Sequence, residues 1–259
     1  MSVKALNRIR NRTFLREVSV PYIEPTGDLW EIHKDIPEVF KWHHYYTHYE
    51  EKLAPFRARP IKLLEIGVRF GGSIKLFKEY LHPDSLVVGI DIEERCTRYE
   101  KDRMPIEIGD QADEEFLQEV IDKHGPFDVI IDDGSHLSHH QRISWQFLFR
   151  EGLNPEGLYV VEDAYNSYFA EMTEGGTEPF MNTVKLLIDL MHMNYAVACN
   201  TGPFLHNDPT GFGVAMEYYE AWVNSIDIRD GMVFFQKRMR SAPVSPQSID
   251  ATGEEHGLV

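Results

Sequence analysis

The stretch Phe127-Asp128-Val129-Ile130-Ile131-Asp132-Asp133-Gly134-Ser135-His136 decides the fold and the chemistry of this 259-residue chain. It is an apolar run that ends abruptly in two carboxylates, a Gly-Ser turn and an imidazole, which is typical of a buried strand with polar groups at its C-terminal end. A second apolar run, Leu158–Val161, ends in the same way in Glu162 and Asp163. Two neighbouring strands that both end in acids predict a metal site or an acid–base site at one edge of a sheet.

Further apolar runs precede and follow these two strands, and segments with helical periodicity separate them. The earlier runs are 61–66, 86–91 and 106–108, and the helical segments are about 74–81, 113–123 and 138–150. Strands that alternate with helices predict a doubly wound, Rossmann-like α/β fold with a mostly parallel sheet. Near the C-terminus, Asp230-Gly231 lies between the apolar runs 222–229 and 232–237, so we expect an antiparallel hairpin at the end of the sheet.

A glycine-rich turn joins the first strand to the first helix. Gly67 follows the strand and Gly71-Gly72-Ser73 opens the helix, which leaves backbone N–H groups to face a phosphate or nucleotide. Asp91 ends the second strand 24 positions after Gly67, near the ~20-residue spacing at which an acid binds a ribose hydroxyl pair. Asp110 and Gln111 follow the third strand and suit an adenine amine and ring nitrogen. The alternative is that Asp91 and Asp110 only cap the helices after them.

The acids at the ends of the fourth and fifth strands predict a cation site. Asp133, Glu162 and Asp163 would converge on a small volume, where carboxylates must share protons or bind a cation. Oxygen ligands favour Mg²⁺ over zinc. His136 lies three residues past Asp133 and could take a proton from a hydroxyl that the ion has acidified.

Two other interpretations of these side chains stay open. In the first, His136 packs structurally and the acids cap helices. In the second, His136, His139 and His140 form a histidine metal site, because they have i, i+3, i+4 spacing. Against the second, His139 and His140 belong to a segment that should turn into a helix leading away from the sheet edge.

Composition limits the class of partner and the compartment. Asp+Glu number 42 against 26 Lys+Arg, a formal net charge of −16, which disfavours nucleic acid and anionic membranes as main partners because both require a basic surface. Cys96 and Cys199 form no CxxC, and we expect a reducing cytoplasm. No apolar run approaches the ~18 residues of a membrane span, and basic residues interrupt the first 16 positions, unlike a signal peptide.

The chain is expected to have three parts. Residues 1–55 comprise a basic arm, which would lie on the domain or on a second subunit of a homo-oligomer, and an aromatic segment with a helix at His43–Leu53. This helix either packs on the core or walls a pocket. Residues 56–240 form the α/β domain, with a lid at about 195–222. Residues 241–259 are predicted to be a disordered tail.

Short motifs at the strand ends carry a resemblance to a known family. They are LEIG at 64–67 with GGS at 71–73, GID at 89–91, GDQADEEFL at 109–117, DDGSH at 132–136 and VED at 161–163. The chain resembles the class I S-adenosylmethionine-dependent methyltransferases. It is more closely similar to the Mg²⁺-dependent sugar O-methyltransferases of antibiotic pathways, of the mycinamicin and tetracenomycin deoxysugar types. The resemblance covers about 42–172 and resumes at 226–237.

The resemblance implies a metal-dependent transfer of a methyl group from S-adenosylmethionine to a sugar hydroxyl in antibiotic biosynthesis. The acceptor would be a deoxysugar, either nucleotide-linked or part of a natural-product glycoside. His136 would be the general base, and Mg²⁺ would be held by Asp133, Glu162 and Asp163. The implied cofactor contacts are Tyr49, Glu65, Gly67, Ser73, Asp91, Asp110, Gln111 and Asp132, with Tyr49 and Asp132 near the methionine end.

Two other functions are compatible with the same scaffold. One is a cephalosporin-hydroxylase-like oxidative protein, which would need an iron or oxoglutarate apparatus; the sequence shows no additional HxD…H set. The other is a non-catalytic, cofactor-binding partner subunit, which would keep the glycine turn but would not require His136 beside three acids.

Overall fold

The computed structural model describes residues 19–173, 178–201 and 217–241, with the side chains of the second range described to residue 193. The predicted lid at about 195–222 therefore falls mostly outside the described residues, and the predicted tail does so after residue 241. Within the described ranges, none of the helices combines the length and apolarity needed to cross a bilayer.

A seven-stranded sheet forms the centre of the molecule. Its strands are β1 Lys62–Ile66, β2 Leu86–Asp91, β3 Ile106–Ile108, β4 Phe127–Asp132, β5 Leu153–Val161, β6 Val223–Arg229 and β7 Met232–Lys237. The spatial order is β3-β2-β1-β4-β5-β7-β6. The first five strands are parallel, whereas β7 runs antiparallel to both β5 and β6. The predicted doubly wound sheet with a C-terminal antiparallel hairpin is confirmed.

Helices connect the parallel strands and lie on both faces of the sheet. They are α1 Asp28–His33, α2 His43–Leu53, α3 Gly72–Tyr80, α4 Glu114–His124, α5 Ser138–Phe147, α6 Phe180–Thr201 and α7 Tyr218–Trp222. The bounds of α2 are those predicted. The helix expected over 138–150 ends earlier as an α-helix, because its last turn widens into a π-helix at Leu148–Gly152.

The start of β5 differs from the prediction. The apolar run predicts a strand at 158–161, but the strand begins at Leu153 and contains residues 154–157 as an irregularity in its register with β4. Glu156 takes a positive φ of 67° there. The side-chain amide of Gln236 on β7 donates to the carbonyls of Glu156 and Gly157 at 2.8 and 3.1 Å. The neighbouring strand thus supplies donors that turn chemistry alone does not anticipate.

Two apolar clusters cover the two faces of the sheet. Neighbouring strand residues point to opposite faces, so that Leu63 packs with α1, α2 and α3 whereas Leu64 packs with α4, α5 and α6. A parallel sheet buried on both faces requires apolar side chains in succession, which explains the unbroken apolar runs of the sequence. This burial leaves the C-terminal edge of the parallel strands as the place where their polar end residues gather.

Candidate functional site

A cavity of about 420 Å³ opens at the C-terminal edge of the parallel strands. This volume is within the range of small-molecule sites. Eight of the predicted site residues line it, namely Gly67, Ser73, Asp91, Asp110, Gln111, Asp133, His136 and Asp163. The other four predicted residues, Tyr49, Glu65, Asp132 and Glu162, are almost completely buried and are not among the described residues that line the cavity.

Gly67 brings the loop after β1 into contact with the loop after β4. Its φ is 96°, a conformation that L side chains rarely adopt, and its N–H donates to the carbonyl of Ile90 at 2.8 Å. A Cβ atom at this position would lie 2.2 Å from the backbone oxygen of Asp133. The glycine is therefore required both by the backbone conformation and by the close approach of the Asp133 carbonyl.

Gly67→Ala is expected to destabilise the protein and to displace the Asp133 loop. The backbone conformation alone should cost on the order of 1–3 kcal/mol of unfolding free energy, and the contact with Asp133 adds to this cost. Urea denaturation of the variant measures the loss. Gly152→Ala is a matched control, because the nearest atoms to its Cβ are side-chain atoms at 3.2 Å. Equal losses in both variants would contradict the role of Gly67.

Asp91 is held as an ionised carboxylate at the cavity wall. Its Oδ2 accepts from the backbone N–H groups of Val68 and Arg69, each at 2.9 Å, and its Oδ1 accepts from Glu93 N at 2.9 Å. Burial would raise the pKa of Asp91, but these backbone hydrogen bonds outweigh it and lower the pKa below its usual range. Such a carboxylate can still accept hydrogen bonds from a diol, which agrees with the predicted ribose contact.

Asp110 lines the cavity and does not cap a helix. Its Oδ1 accepts from Ala112 N at 2.8 Å in a local turn. Helix α4 is capped by Asp113, whose side chain accepts from Glu115 N and Phe116 N. The interpretation of Asp110 as a helix cap is therefore not supported, and its contact with adenine stays a prediction.

Gln111 and Asp132 form a buried link between the loops after β3 and β4. The Gln111 amide nitrogen lies 3.2 Å from Asp132 Oδ1, and its oxygen accepts from Ser135 N at 2.8 Å. Ser144 of α5 donates to Asp132 Oδ2 at 2.8 Å. Burial raises the pKa of Asp132, an effect that the hydrogen bonds from Ser144 and Gln111 oppose. The contacts of Gln111 with adenine and of Asp132 with the methionine end stay predictions.

The three predicted metal ligands each have one oxygen anchored by a protein donor. The pairs are Lys41 Nζ with Asp133 Oδ2 (2.8 Å) and with Glu162 Oε1 (2.5 Å), Tyr49 Oη with Glu162 Oε1 (2.5 Å), and Tyr45 Oη with Asp163 Oδ1 (2.7 Å). The other oxygens of Asp133 and Asp163, Oδ1 and Oδ2 respectively, face His136. Tyr45 and Tyr49 belong to α2, so the aromatic helix packs in the core and also reaches the site.

His136 faces two of these carboxylates. Its Nε2 lies 3.9 Å from Asp133 Oδ1 and 3.8 Å from Asp163 Oδ2. Ligand atoms of these three residues lie within 4.8 Å of one another, and in the described part of the chain this group could hold a metal ion. Glu162, the third predicted ligand, is not part of this group. Neither His139 nor His140 belongs to it either, so the histidine metal site is not supported.

The backbone at His136 and Asp163 is unusual for residues other than glycine. Their φ angles are 58° and 51°, both in the left-handed region. Non-glycine residues in this region cost free energy and cluster at functional sites. The conformation turns both side chains toward Asp133 at the cavity wall.

The carboxylates around Lys41 outnumber its single ammonium group, so this part of the site can accept further positive charge. Burial raises the pKa of Glu65 to about 7 against the opposing effect of Lys41, and burial together with Asp133 raises the pKa of Glu162. Lys41 Nζ lies 3.8 Å from Glu65 Oε1, and an interaction with the Ser73 side chain also opposes the rise of the Glu65 pKa. The excess of carboxylates over one ammonium fits a divalent cation, and the Glu65 carboxylate fits an ammonium group of a ligand.

Sequence reasoning missed Lys41 and Tyr45. Lys41 is separated from Asp133 and Glu162 by 92 and 121 positions, which hides the contact from any local pattern. The available signal was a lone cation between Phe40 and Trp42 in an aromatic segment. Tyr45 lies in the helix predicted at His43–Leu53, but no local pattern indicates its contact with Asp163.

The chain is similar to known proteins in sequence and in structure. No family model matches the chain. It is 34% identical over 214 residues to the 8-demethyl-8-alpha-L-rhamnosyl tetracenomycin-C 2'-O-methyltransferase of Streptomyces olivaceus. The matched region covers 78% of this chain and 52% of that protein. It is also 30% identical over 218 residues to the demethylmacrocin O-methyltransferase of Streptomyces fradiae. That matched region covers 78% of this chain and 51% of the relative. The chain spans about half the length of these curated relatives.

A solved structure gives the same result. The MycE methyltransferase from the mycinamycin biosynthetic pathway, in complex with Mg and SAH, superposes with a TM-score of 0.70 at 26% identity. The superposition covers 88% of this chain and 58% of that one. The predicted resemblance is therefore confirmed in sequence and in fold.

Proposed function

We propose that this chain, a homologue of sugar O-methyltransferases from antibiotic pathways, transfers the methyl group of S-adenosylmethionine to a sugar hydroxyl with the help of Mg²⁺. The observation that carries the proposal is the position of His136 Nε2 within 4 Å of oxygens of Asp133 and Asp163, at the wall of the same cavity that Asp91 lines. The tetracenomycin relative is named for 2'-O-methylation of a rhamnosyl group, and MycE has also been solved with Mg, SAH and Mycinamycin VI.

The residues around the cavity fit both implied groups. When bound, S-adenosylmethionine supplies the methyl group and Mg²⁺ lowers the pKa of a coordinated hydroxyl. Asp133, Glu162 and Asp163 would hold the cation through the oxygens that face away from their protein donors. Asp91 would accept hydrogen bonds from the ribose hydroxyls, and Glu65 would face the ammonium of the methionine end.

His136 would take the proton of the acceptor hydroxyl at Nε2. This nitrogen lies 3.9 Å from Asp133 Oδ1 and 3.8 Å from Asp163 Oδ2, so the base would lie beside two of the proposed metal ligands. The left-handed backbone fixes the direction of the ring. The chain would thus contribute a base whose position relative to Asp133 and Asp163 is set before the acceptor binds.

The acceptor would approach beside a group of aromatic side chains. Trp42 Nε1 donates to Tyr165 Oη at 3.1 Å, and Tyr165 packs edge-on against Phe169 with ring centroids 6.3 Å apart. Trp42 and Phe169 are about half exposed. Apolar ring faces with polar edges suit a sugar, which has hydroxyls and apolar C–H groups.

Methyl transfer to a panel of acceptors tests the function. The protein is incubated with S-adenosylmethionine, Mg²⁺ and either deoxysugar nucleotides or deoxysugar glycosides, with and without EDTA, and S-adenosylhomocysteine is measured. We expect transfer to at least one acceptor and its loss in EDTA, with recovery when Mg²⁺ is returned. Transfer that survives complete removal of the metal would contradict the metal role. Tight cofactor binding with no transfer to any acceptor would favour the partner-subunit alternative.

A further inference from the structure

Lys41 is a buried cation that the proposed reaction does not yet use. It lies in the segment between α1 and α2, and its side chain is 1% exposed. Its ammonium contacts Asp133 Oδ2 and Glu162 Oε1 and lies 3.8 Å from Glu65 Oε1. It also lies 5.8 Å and 5.7 Å from the ring centroids of Tyr49 and Phe77. Burying an ammonium is costly unless acids compensate it, so this placement needs all of these partners.

The contacts of Lys41 are confined to one side of the acids. It binds Asp133 through Oδ2, whereas His136 faces Oδ1 of the same carboxylate. On Glu162 it shares Oε1 with the hydroxyl of Tyr49. One lysine therefore fixes the orientation of two carboxylates and directs their other oxygens away from itself.

This arrangement matches the second layer of a metal site. Carboxylates that ligate a metal are themselves hydrogen-bonded by outer residues, which orient them and affect the affinity for the ion. Asp163 has a neutral donor of this kind in Tyr45, at 2.7 Å. Asp133 and Glu162 have a charged one, which also offsets part of their mutual repulsion before any ion binds.

We propose that Lys41 is a positioning residue for the divalent cation, holding Asp133 and Glu162 in the orientation in which they ligate the ion. The inference rests on the proposed metal site. The alternative role is that Lys41 competes with the ion for the two acids and moves away from them when the ion binds. The two roles predict opposite effects of removing the lysine: loss of a positioning residue weakens cation binding, and loss of a competitor strengthens it.

Binding of Mn²⁺ to the full chain, measured by electron paramagnetic resonance, tests the inference without relying on activity. We expect Lys41→Met to weaken Mn²⁺ binding by about 10–100-fold, the range usual for outer residues of metal sites. Lys52→Met is the matched control. Lys52 belongs to α2 and binds Asp227 at 2.7 Å, and its ammonium lies 5.8 Å from the Phe234 ring centroid. This control should leave Mn²⁺ affinity unchanged.

A second readout separates positioning from a general loss of structure. With Lys41→Met, excess Mg²⁺ should restore most of the kcat, so that the variant raises the Mg²⁺ concentration needed for half-maximal rate more than it lowers the maximal rate. If Lys41→Met does not fold, Lys41→Gln replaces it. That variant removes the charge but keeps a side-chain donor for Asp133 Oδ2 and Glu162 Oε1, and the loss of affinity should lie at the lower end of the same range.

Each outcome has a distinct meaning. Unchanged or tighter Mn²⁺ binding by the folded lysine variant, Lys41→Met or Lys41→Gln, overturns the positioning role. Absence of Mn²⁺ binding by the wild-type chain overturns the proposed metal site, and the inference with it. Binding by the wild type that weakens in Lys41→Met and not in Lys52→Met supports both.

Discussion

His136→Asn is expected to lower the rate of methyl transfer by about 10²–10⁴-fold, the usual contribution of a general base, and to leave the affinity for S-adenosylhomocysteine nearly unchanged. The substitution removes Nε2, the atom that faces Asp133 and Asp163. Asparagine is chosen because the backbone at this position has a φ of 58°, which asparagine tolerates better than alanine does. The loss should therefore report on the imidazole and not on backbone strain.

Single-turnover rates and titration of S-adenosylhomocysteine, both at saturating Mg²⁺, measure the two quantities separately. His82→Asn is the matched control, since His82 lies in the loop before β2 and accepts a hydrogen bond from Asp84 N at 3.1 Å. It should retain the rate of the wild type. A rate near that of the wild type in His136→Asn would mean that another group takes the proton. Parallel losses of rate and of cofactor affinity would instead indicate that the site has been distorted.

The strand-end acids could be predicted from the sequence because each follows its strand directly. A parallel sheet places the ends of β1, β2, β4 and β5 at one edge, so Gly67, Asp91, Asp133 and Asp163 could be assigned to one site without coordinates. Short-range rules also sufficed for the hairpin at Asp230-Gly231, whose turn chemistry is local.

Side-chain partners across the fold could not be predicted in this way. The anchors of the carboxylates come from α2 and the segment before it, and each lies 92 to 121 positions before the acid that it contacts. The two ends of the Gln111 amide contact Asp132 and Ser135, because the loops after β3 and β4 pack together, and no local pattern predicts these contacts. Such pairings depend on how loops of different strands approach each other, which no periodicity in the sequence encodes.

Asp133→Asn is expected to weaken Mn²⁺ binding by more than about 100-fold, beyond the range caused by loss of an outer residue. Asp133 contacts both the lysine and the histidine of the site: its Oδ2 binds Lys41 and its Oδ1 faces His136. The amide keeps the shape of the side chain and can still accept from Lys41, so the change removes charge and a ligand oxygen without opening a cavity. The Mg²⁺ concentration needed for half-maximal rate should rise in parallel.

Asp110→Asn is the matched control for this prediction, because Asp110 lines the same cavity but its Oδ1 accepts from Ala112 N. It should bind Mn²⁺ as the wild type does, and an effect on cofactor affinity alone would agree with its predicted place near adenine. Equal weakening of Mn²⁺ binding in both variants would mean that the overall negative charge of the cavity attracts the ion. A loss confined to Asp133→Asn would instead assign the ion to the carboxylate that Lys41 orients, and so would link the predicted metal site to a residue that the sequence alone did not reveal.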